Sequence, residues 1–368
     1  MTVIKIVMIG GFPPPMGGAA KANETTYRSM LELGADVVKL NVAAATLSHR
    51  RTLRFHAQRF SRNLCALLQA RRLRRRDRRL YIVPDAGAGI LYSLAHIWLA
   101  ARAYGEIVIH HHSCRYIEEI SRPMAMITKA AWERTVHVFL TPGMAAAFEE
   151  SYGPVRHRIA TNARFVRDQA AVTKPAARGR PRIGHLSNLC HEKGFFQVAD
   201  AFDKIRAAGF DAELWLAGPA LEPEVDARLQ MLQEAHGASI HYVGPVTGEP
   251  KNDFYRSLDL FLFPTQFPQE AAPIVVYEAL AAGAPVLSTP RGRIAEILGD
   301  GIWNGEESFG AFVLNYLLRH NWDGASIAAR AAKLQESMLR EAAESEAQFT
   351  ALLKELAFDR VGATSTFE

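Results

Sequence analysis

Two glutamates with seven residues between them, Glu270 and Glu278, are the side chains of this sequence best placed to do chemistry. An apolar run that ends at Phe263 predicts a strand before them, and residues 273–282 predict a helix. Pro273 suits the first position of that helix, because its missing N–H would have no partner there. The amides that follow lack intrahelical partners and form an anion site. One carboxylate is therefore expected on each side of a position suited to a diphosphate.

A glycine-containing loop, Pro13–Ala19, follows the first predicted strand of the chain and includes Gly17 and Gly18. Glycine lets a ligand approach the backbone without a Cβ in the way, and the helix predicted behind the loop adds a partial positive charge. The loop lacks the Gly-x-Gly-x-x-Gly pattern, which disfavours a dinucleotide site. A plain turn without a ligand is the alternative interpretation.

Three consecutive histidines, His110, His111 and His112, end another predicted strand, residues 106–110. Successive side chains of a strand point to opposite faces, so such a triplet chelates one metal ion poorly. We expect either His111 or His112 to face a binding cleft and hydrogen-bond to oxygens of a ligand. The other histidines are expected to be buried or to support it.

The segment from Phe263 to Val286 resembles the Glu-x7-Glu signature of the retaining family 4 glycosyltransferases, which have the GT-B fold. In that family the first glutamate contacts the transferred sugar and the second holds the ribose of the nucleotide. The segment from Gly184 to Gly194 is similar to the family's strand–loop–Lys-Gly element, whose lysine binds the donor phosphates as a point charge. The glycine loop and the histidine triplet match further elements of the family.

The resemblance assigns roles to individual residues. Asn188 stands where many relatives have an arginine, so a hydrogen bond replaces a charge there or one phosphate contact is lost. The catalytic residues that the resemblance implies are Glu270, Lys193, His111 and His112. The nucleotide-sugar site that it implies comprises Gly17, Gly18, Asn188, Lys193, Gly244, Ala272, Pro273, Ile274, Val275 and Glu278.

No Asp-x-Asp motif, which would hold a divalent metal on a nucleotide diphosphate, occurs in the sequence. We therefore expect no metal and no cofactor, with helix amides and Lys193 stabilising the departing diphosphate. The expected reaction is retaining transfer of a hexose-type sugar from a nucleotide-sugar donor. The acceptor would be a glycan, a lipid-linked sugar or a small molecule, in bacterial polysaccharide or glycoconjugate synthesis.

Three other functions use similar residues. A glycoside hydrolase also needs two carboxylates, but it has no reason to place them beside an anion-binding helix end. A nucleotide-sugar epimerase of the same GT-B architecture would bind the same donor. A noncatalytic nucleotide-sugar-binding module is the third alternative. These alternatives differ in what happens to a bound nucleotide sugar.

Both halves of the chain alternate apolar β-rich runs with helical patterns, which predicts an α/β fold with parallel, doubly wound sheets. The expected architecture is GT-B, with two Rossmann-like domains and an interdomain cleft. Residues 1–166 would form an N-terminal acceptor domain, 167–181 a linker, and 182–345 a C-terminal nucleotide-sugar-binding domain. The resemblance implies that residues 346–368 form a helix that returns to the N-terminal domain, followed by a tail.

The composition of the 368-residue chain, with 49% hydrophobic and 22% charged residues, is that of a soluble globular protein large enough for two domains. Its three cysteines form no Cys-x-x-Cys pair, which favours a reducing cytoplasm. The first apolar run has no basic leader, and residues 90–103 are too short to cross a bilayer. We expect a cytoplasmic protein. A peripheral position on the inner face of the cytoplasmic membrane is the second location that the sequence suggests.

An arginine-rich block between Arg50 and Arg79 contains one acid, Asp77. Apolar residues interleave with the arginines, which predicts an amphipathic helix on an anionic membrane surface. A solvated helix face is the alternative, and nucleic acid is disfavoured because no aromatic stacking platform accompanies the charge. The arginines are Arg50, Arg51, Arg54, Arg59, Arg62, Arg71, Arg72, Arg74, Arg75, Arg76, Arg78 and Arg79.

Overall fold

The computed structural model describes residues 3–14, 17–44, 52–101, 103–130, 134–171, 174 and 179–358. The chain divides into two compact units, residues 1–160 with 346–368 and residues 161–345. The boundary therefore lies before the linker expected at 167–181. Residues 167–170 form a short helix of the second unit, and residues 172–173 and 175–178 of the expected linker lie outside the described residues.

The first unit is built on a parallel sheet with the strand order β2-β1-β3-β4-β5-β6. Its strands are β1 (Lys5–Gly10), β2 (Asp36–Asn41), β3 (Arg78–Ile82), β4 (Glu106–His110), β5 (Thr135–Phe139) and β6 (His157–Ile159). Its helices are α1 (Gly18–Glu32), α2 (Leu53–Leu73), α3 (Ile90–Ala100), α4 (Arg115–Glu118), α5 (Arg122–Ala130) and α6 (Pro142–Tyr152). The central strands β1, β4 and β5 are buried along nearly their whole length, as expected for parallel strands covered on both faces.

The second unit contains a second parallel sheet, in the order β11-β10-β7-β8-β9. Its strands are β7 (Arg182–Leu186), β8 (Glu213–Ala217), β9 (Ile240–Tyr242), β10 (Leu260–Phe263) and β11 (Val286–Ser288). Its helices are α7 (Arg167–Ala170), α8 (Phe195–Ala207), α9 (Pro223–His236), α10 (Glu249–Ser257), α11 (Ile274–Ala281), α12 (Ile294–Leu298), α13 (Phe309–Arg319) and the first part of α14 (Gly324–Ala357).

The end of α14 belongs to the first unit. Phe349, Leu352 and Leu353 are buried in the same core cluster as Met8 of β1 and Val108 of β4. Of the segment expected to return to the first domain, residues 359–368 lie outside the described residues. None of the helices in the described part of the chain has a stretch long and apolar enough to cross a membrane.

Each sheet has a topological switch point, where the chain leaves the first strand on one side and later continues on the other. In the first unit it lies between β1 and β3, and in the second between β7 and β10. Loops at the carboxyl ends of such strands splay apart, which makes this the usual ligand position in open α/β sheets. The loop with Gly17 follows β1, and the loops with Lys193 and Glu270 follow β7 and β10.

Candidate functional site

Helix α11 begins shortly after β10 ends, so the predicted strand and helix are both present. Pro273 is the N-cap residue and not the first helical residue, because its ψ of 130° is extended. This corrects the predicted helix start by one residue. No side chain of the described residues caps α11, and the first amides of a helix have no intrahelical partners. The helix ends at Ala281, and Gly283 just beyond it has a φ of 79°, the left-handed conformation typical of the residue that follows a helix.

Lys193 and Glu270 form an ion pair at the switch point of the second sheet. The Lys193 Nζ lies 2.6 Å from Oε2 of Glu270, and the Thr265 hydroxyl donates a 3.2 Å hydrogen bond to the same oxygen. The lysine ammonium also lies over the Phe267 ring, 4.2 Å from its centroid. The side chains are 21% and 11% exposed, so the pair is largely shielded from water but still accessible. The structure thus brings two predicted catalytic residues into direct contact.

Two glycines allow backbone segments to approach each other closely next to Lys193 and Glu270. Gly194 has a φ of 83°, and a Cβ there would lie 2.3 Å from the Pro264 carbonyl oxygen, so the loops after β7 and β10 approach too closely for any side chain. Gly292 has a φ of 60°, and its Cβ would lie 2.5 Å from the carbonyl oxygen of Glu270. Gly292 was not predicted from the sequence, where the available signal was a glycine shortly after a predicted strand. Both positions require glycine because of φ and of space.

Glu278 is buried in α11 and forms an ion pair with Lys251 of α10. A buried carboxylate needs such a partner, because an unpaired charge away from water is costly. Burial, together with the neighbouring Glu278, raises the pKa of Tyr255 well above its ordinary value, so its hydroxyl stays protonated. Lys251 was not predicted from the sequence, because nothing in the spacing along the chain relates α10 to α11.

Two buried amide side chains fasten α11 from the segment that precedes the second sheet. Asn162 donates a 2.6 Å hydrogen bond to the carbonyl of Ala272, just before the helix. Gln169 of α7 donates a 2.9 Å hydrogen bond to the backbone carbonyl of Glu278. The sequence analysis placed these residues at the end of the first domain and in the linker. In the structure they position the start of α11 and the backbone of Glu278.

The remaining predicted contacts of the second unit lie at the carboxyl ends of its strands. Asn188 is exposed in the loop after β7, and its backbone carbonyl accepts a hydrogen bond from Ser187. Gly244 follows β9 with a φ of 70°, and its carbonyl accepts a 2.8 Å hydrogen bond from the Gly218 amide. Of the residues around the helix start, Ala272, Pro273 and Ile274 are buried, and Val275 is half-buried.

Gly17 and Gly18 lie at the start of α1 in the first unit, and both are exposed. Gly17 is an extended N-cap residue and Gly18 is helical, so neither conformation requires glycine. A Cβ built at either position meets no other atom within 4 Å. Residues 15 and 16 of the same loop lie outside the described residues. Nothing in the first unit's own packing therefore explains the two glycines.

The histidine triplet alternates between the faces of the first sheet, as expected for a strand end. The rings of His110 and His112 lie together, with centroids 4.1 Å apart. His111 points the other way and is fully buried, with Nδ1 3.0 Å from the Tyr116 hydroxyl and Nε2 2.9 Å from Nδ1 of His137. Burial, reinforced by the neighbouring histidines, lowers the pKa of His111 well below its ordinary value, so the ring is neutral.

The prediction for His111 therefore needs correction. Both of its ring nitrogens are engaged by protein groups in the core, so it has no atom to offer a ligand. His112, the other candidate, is half-buried at the carboxyl end of β4. The sequence could not decide between His111 and His112 as the ligand contact, because the burial of each side chain depends on which elements cover that face of the sheet.

Part of the chain matches a known family. Residues 180–336, less than half of the chain, match the model described as "Glycosyl transferases group 1", and this range contains β7 to β11. The lipopolysaccharide core biosynthesis mannosyltransferase LpsB of Rhizobium meliloti is 28% identical over 123 residues, which are 32% of this chain and 34% of that protein. The chain spans about a third of the length of the curated relatives it matches.

Solved structures match nearly the whole chain. HepE from Anabaena, solved in complex with UDP and glucose, has a TM-score of 0.59 at 15% identity, over 94% of this chain and 99% of that one. A UDP-forming α,α-trehalose-phosphate synthase from Burkholderia xenovorans has a TM-score of 0.66 at 14% identity, over 97% and 100%. The fold is GT-B. Within this GT-B fold, the second unit carries the Lys193–Glu270 pair and α11, and the first carries the glycine loop and the histidines.

Proposed function

We propose that this protein is a glycosyltransferase that takes its sugar from a nucleotide-sugar donor bound to the second unit. The observation that carries the proposal is the Lys193–Glu270 ion pair, which lies at the switch point beside the uncapped start of α11. A cation and free helix amides are suited to a diphosphate, and a carboxylate is suited to sugar hydroxyls. The family match over residues 180–336 covers the same elements.

The proposed chemistry follows from what each group can do. Donor binding would let the Lys193 ammonium exchange Glu270 for a phosphate oxygen, while the amides after Pro273 contact the diphosphate. Glu270 would then accept hydrogen bonds from the hydroxyls of the transferred sugar. The bond between the anomeric carbon and the diphosphate oxygen breaks as the acceptor hydroxyl oxygen bonds to that carbon, and the hydroxyl proton passes to the departing diphosphate. Lys193 and the helix start stabilise the charge that develops on the diphosphate.

Glu278 would hold the ribose of the donor through its hydroxyls. Its Lys251 partner orients the carboxylate in a buried position. The hydrogen bond from Gln169 holds the backbone at the same residue. In the first unit, His112 and the loop with Gly17 are the proposed ligand contacts.

Incubation with a panel of UDP, GDP, ADP, CDP and TDP sugars tests this function. A donor should raise the melting temperature, because ligand that binds the folded state stabilises it. With that donor we expect slow release of nucleoside diphosphate, faster with a suitable acceptor and lost in Glu270→Gln. Conversion of the nucleotide sugar into an isomer would identify an epimerase instead. Binding without any turnover with acceptor mixtures would favour a noncatalytic binding module.

Transfer is expected to proceed without metal and with retention at the anomeric carbon. Lys193 and the start of α11 supply positive charge at the position where a metal would otherwise act, and retention is what the family resemblance implies. Activity after treatment with EDTA should equal that of the untreated protein, and NMR of the product should show the anomeric configuration of the donor. Full inhibition by EDTA that is restored by a divalent cation, or an inverted product, would contradict the proposal.

Gly18→Ala is expected to raise the stability of the protein and to lower its activity. Alanine should raise the stability of α1 by up to about 1 kcal/mol, because it lowers the entropy cost of folding where its Cβ meets no neighbour. If donor or acceptor approaches this backbone, kcat/KM should fall by about tenfold, equivalent to about 1.4 kcal/mol. Thermal melts and initial rates on the same preparation check both effects. An unchanged kcat/KM would leave the loop as a plain turn.

For the acceptor and the cellular compartment we propose broad classes. A hexose-type sugar transferred to a glycan, lipid-linked or small-molecule acceptor in bacterial polysaccharide or glycoconjugate synthesis agrees with the similarity to LpsB. We place this reaction in the cytoplasm. The free cysteines among the described residues, Cys65, Cys114 and Cys190, agree with a reducing compartment.

A further inference from the structure

Helix α2 presents apolar side chains to solvent. Leu53, Phe60, Leu64 and Leu68 are 89%, 56%, 43% and 49% exposed, and their spacing of seven, four and four residues places them along one side of the helix. The residues of α2 that are buried are smaller or polar: Asn63, Ala66 and Ala70. A continuous exposed apolar ridge of this kind is uncommon on a surface that faces only water.

The neighbouring helices extend this apolar surface. α2 packs against α3, and α3 packs against α5, so the three helices form one layer on the first sheet. On α3 the indole of Trp98 is 73% exposed, and Met126 of α5 is also exposed. We call the exposed side of this layer the outer face, defined by Leu53, Phe60, Leu64, Leu68, Trp98 and Met126.

The arginines of the Arg50–Arg79 block differ in whether they contact other groups of the first unit. Four serve the first unit itself: Arg59 pairs with Asp85, Arg62 and Arg78 donate to backbone carbonyls, and Arg79 pairs with Glu106. Arg75 pairs with Asp77 at the surface, and Arg50 and Arg51 lie outside the described residues. The exposed arginines that pair with no carboxylate among the described residues are Arg54, Arg71, Arg72, Arg74 and Arg76.

A basic cavity opens where the three helices end. It has a volume of about 700 Å³ and is lined by Arg74, Arg75 and Arg76 after α2, by Trp98 and Leu99 of α3, and by Lys129 of α5. Its rim therefore combines four cations with the exposed indole. Guanidinium groups match the geometry of phosphate oxygens, and an indole is suited to the boundary between polar headgroups and acyl chains.

We propose that the outer face docks the first unit on an anionic lipid bilayer, with a lipid phosphate seated in the cavity beside Trp98. Charge complementarity selects an anionic partner, and the ridge of Leu64, Leu68 and Phe60 adds contact with the acyl boundary. A nucleic acid would use the cations but would leave the aliphatic ridge without a partner. This docking stands independently of the proposed catalysis, since it uses none of the residues assigned to it.

Co-sedimentation of the full-length chain with vesicles tests the proposal. We expect binding to phosphatidylcholine vesicles that contain phosphatidylglycerol, little binding to pure phosphatidylcholine, and weakening as salt rises above about 0.1 M because surface charges are screened. The combined change Arg74→Gln, Arg76→Gln and Lys129→Gln should lower the partition coefficient by at least about tenfold, since each basic residue contributes about fivefold near an anionic surface.

Two further variants separate the docking face from general charge. The change Arg319→Gln, Lys333→Gln and Arg340→Gln removes the same charge from exposed positions of the second unit and should leave the partition coefficient unchanged. Brominated lipids should quench the tryptophan fluorescence of the wild type and quench Trp98→Phe much less. Circular dichroism and thermal melts check that every variant is folded.

Three results would overturn the proposal. The first is equal sedimentation with both vesicle types, or with neither. The second is equal loss of binding in both triple variants. The third is binding to duplex or single-stranded DNA in a mobility-shift assay that depends on Arg74 and Arg76, in the absence of vesicle binding.

Discussion

Lys193→Ala is expected to lower kcat by about a hundredfold or more, because removal of a charged group that stabilises a developing negative charge typically has this effect. The ammonium is held 2.6 Å from Glu270 and lies on the Phe267 ring, so it is positioned before any donor binds. Its charge matters most as the diphosphate departs, and KM for the donor should change much less than kcat. Steady-state kinetics with the donor found by thermal shift measure both constants.

The matched control is Lys193→Arg, which keeps the charge while altering its geometry, and it should retain more activity than the alanine variant. Lys193→Ala also frees the Glu270 carboxylate, so the double variant with Glu270→Gln shows how far the two residues act as a unit. A rise in KM with an unchanged kcat would assign Lys193 to donor binding alone. An unchanged kcat/KM would remove it from the catalytic machinery.

Glu278→Ala is expected to weaken binding of the free nucleoside diphosphate by about ten- to a hundredfold, the effect of losing charged hydrogen bonds worth about 1.5–3 kcal/mol. The variant should also be less stable, because it removes the Glu278 carboxylate that pairs with the half-buried Lys251. Isothermal titration calorimetry with the nucleoside diphosphate gives the affinity, and thermal melts give the change in stability.

Lys251→Ala separates the two consequences of Glu278→Ala. It removes the same ion pair but keeps the carboxylate, so it should share the loss of stability and lose less nucleotide affinity. Glu278→Gln, which preserves size and hydrogen bonding, is expected to lie between wild type and alanine. Equal affinity of wild type and Glu278→Ala for the nucleoside diphosphate would exclude the ribose role.

Much of the second unit could be predicted from local patterns. β10 ends at Phe263 as expected, and α11, expected over residues 273–282, spans Ile274–Ala281. Each is an apolar run of the correct period bounded by turn-forming or charged residues, so its information is local. The first unit was predicted less completely, and its short β6 and the helices α4 and α5 were missed.

Contacts between distant segments could not be predicted from the sequence. Asn162 and Gln169 lie in a segment without a strong pattern, yet both support α11. The ion pair between Lys251 and Glu278 depends on how α10 and α11 pack together. The burial of His111 depends on the aromatic side chains of β5 and α6 that cover it, Phe139 and Phe148.

The sequence by itself determined which side chains are the candidates for a nucleotide-sugar site, because the spacing of Glu270, Glu278 and Pro273 along one loop and helix is a property of the local chain. Only the tertiary structure decided that Lys193 meets Glu270, 77 residues away, since β7 and β10 become neighbours only when the sheet takes its strand order. It also decided that the apolar ridge of α2 faces outward. The period of a helix shows that its sides differ, but packing against the sheet and α3 chooses which side is buried.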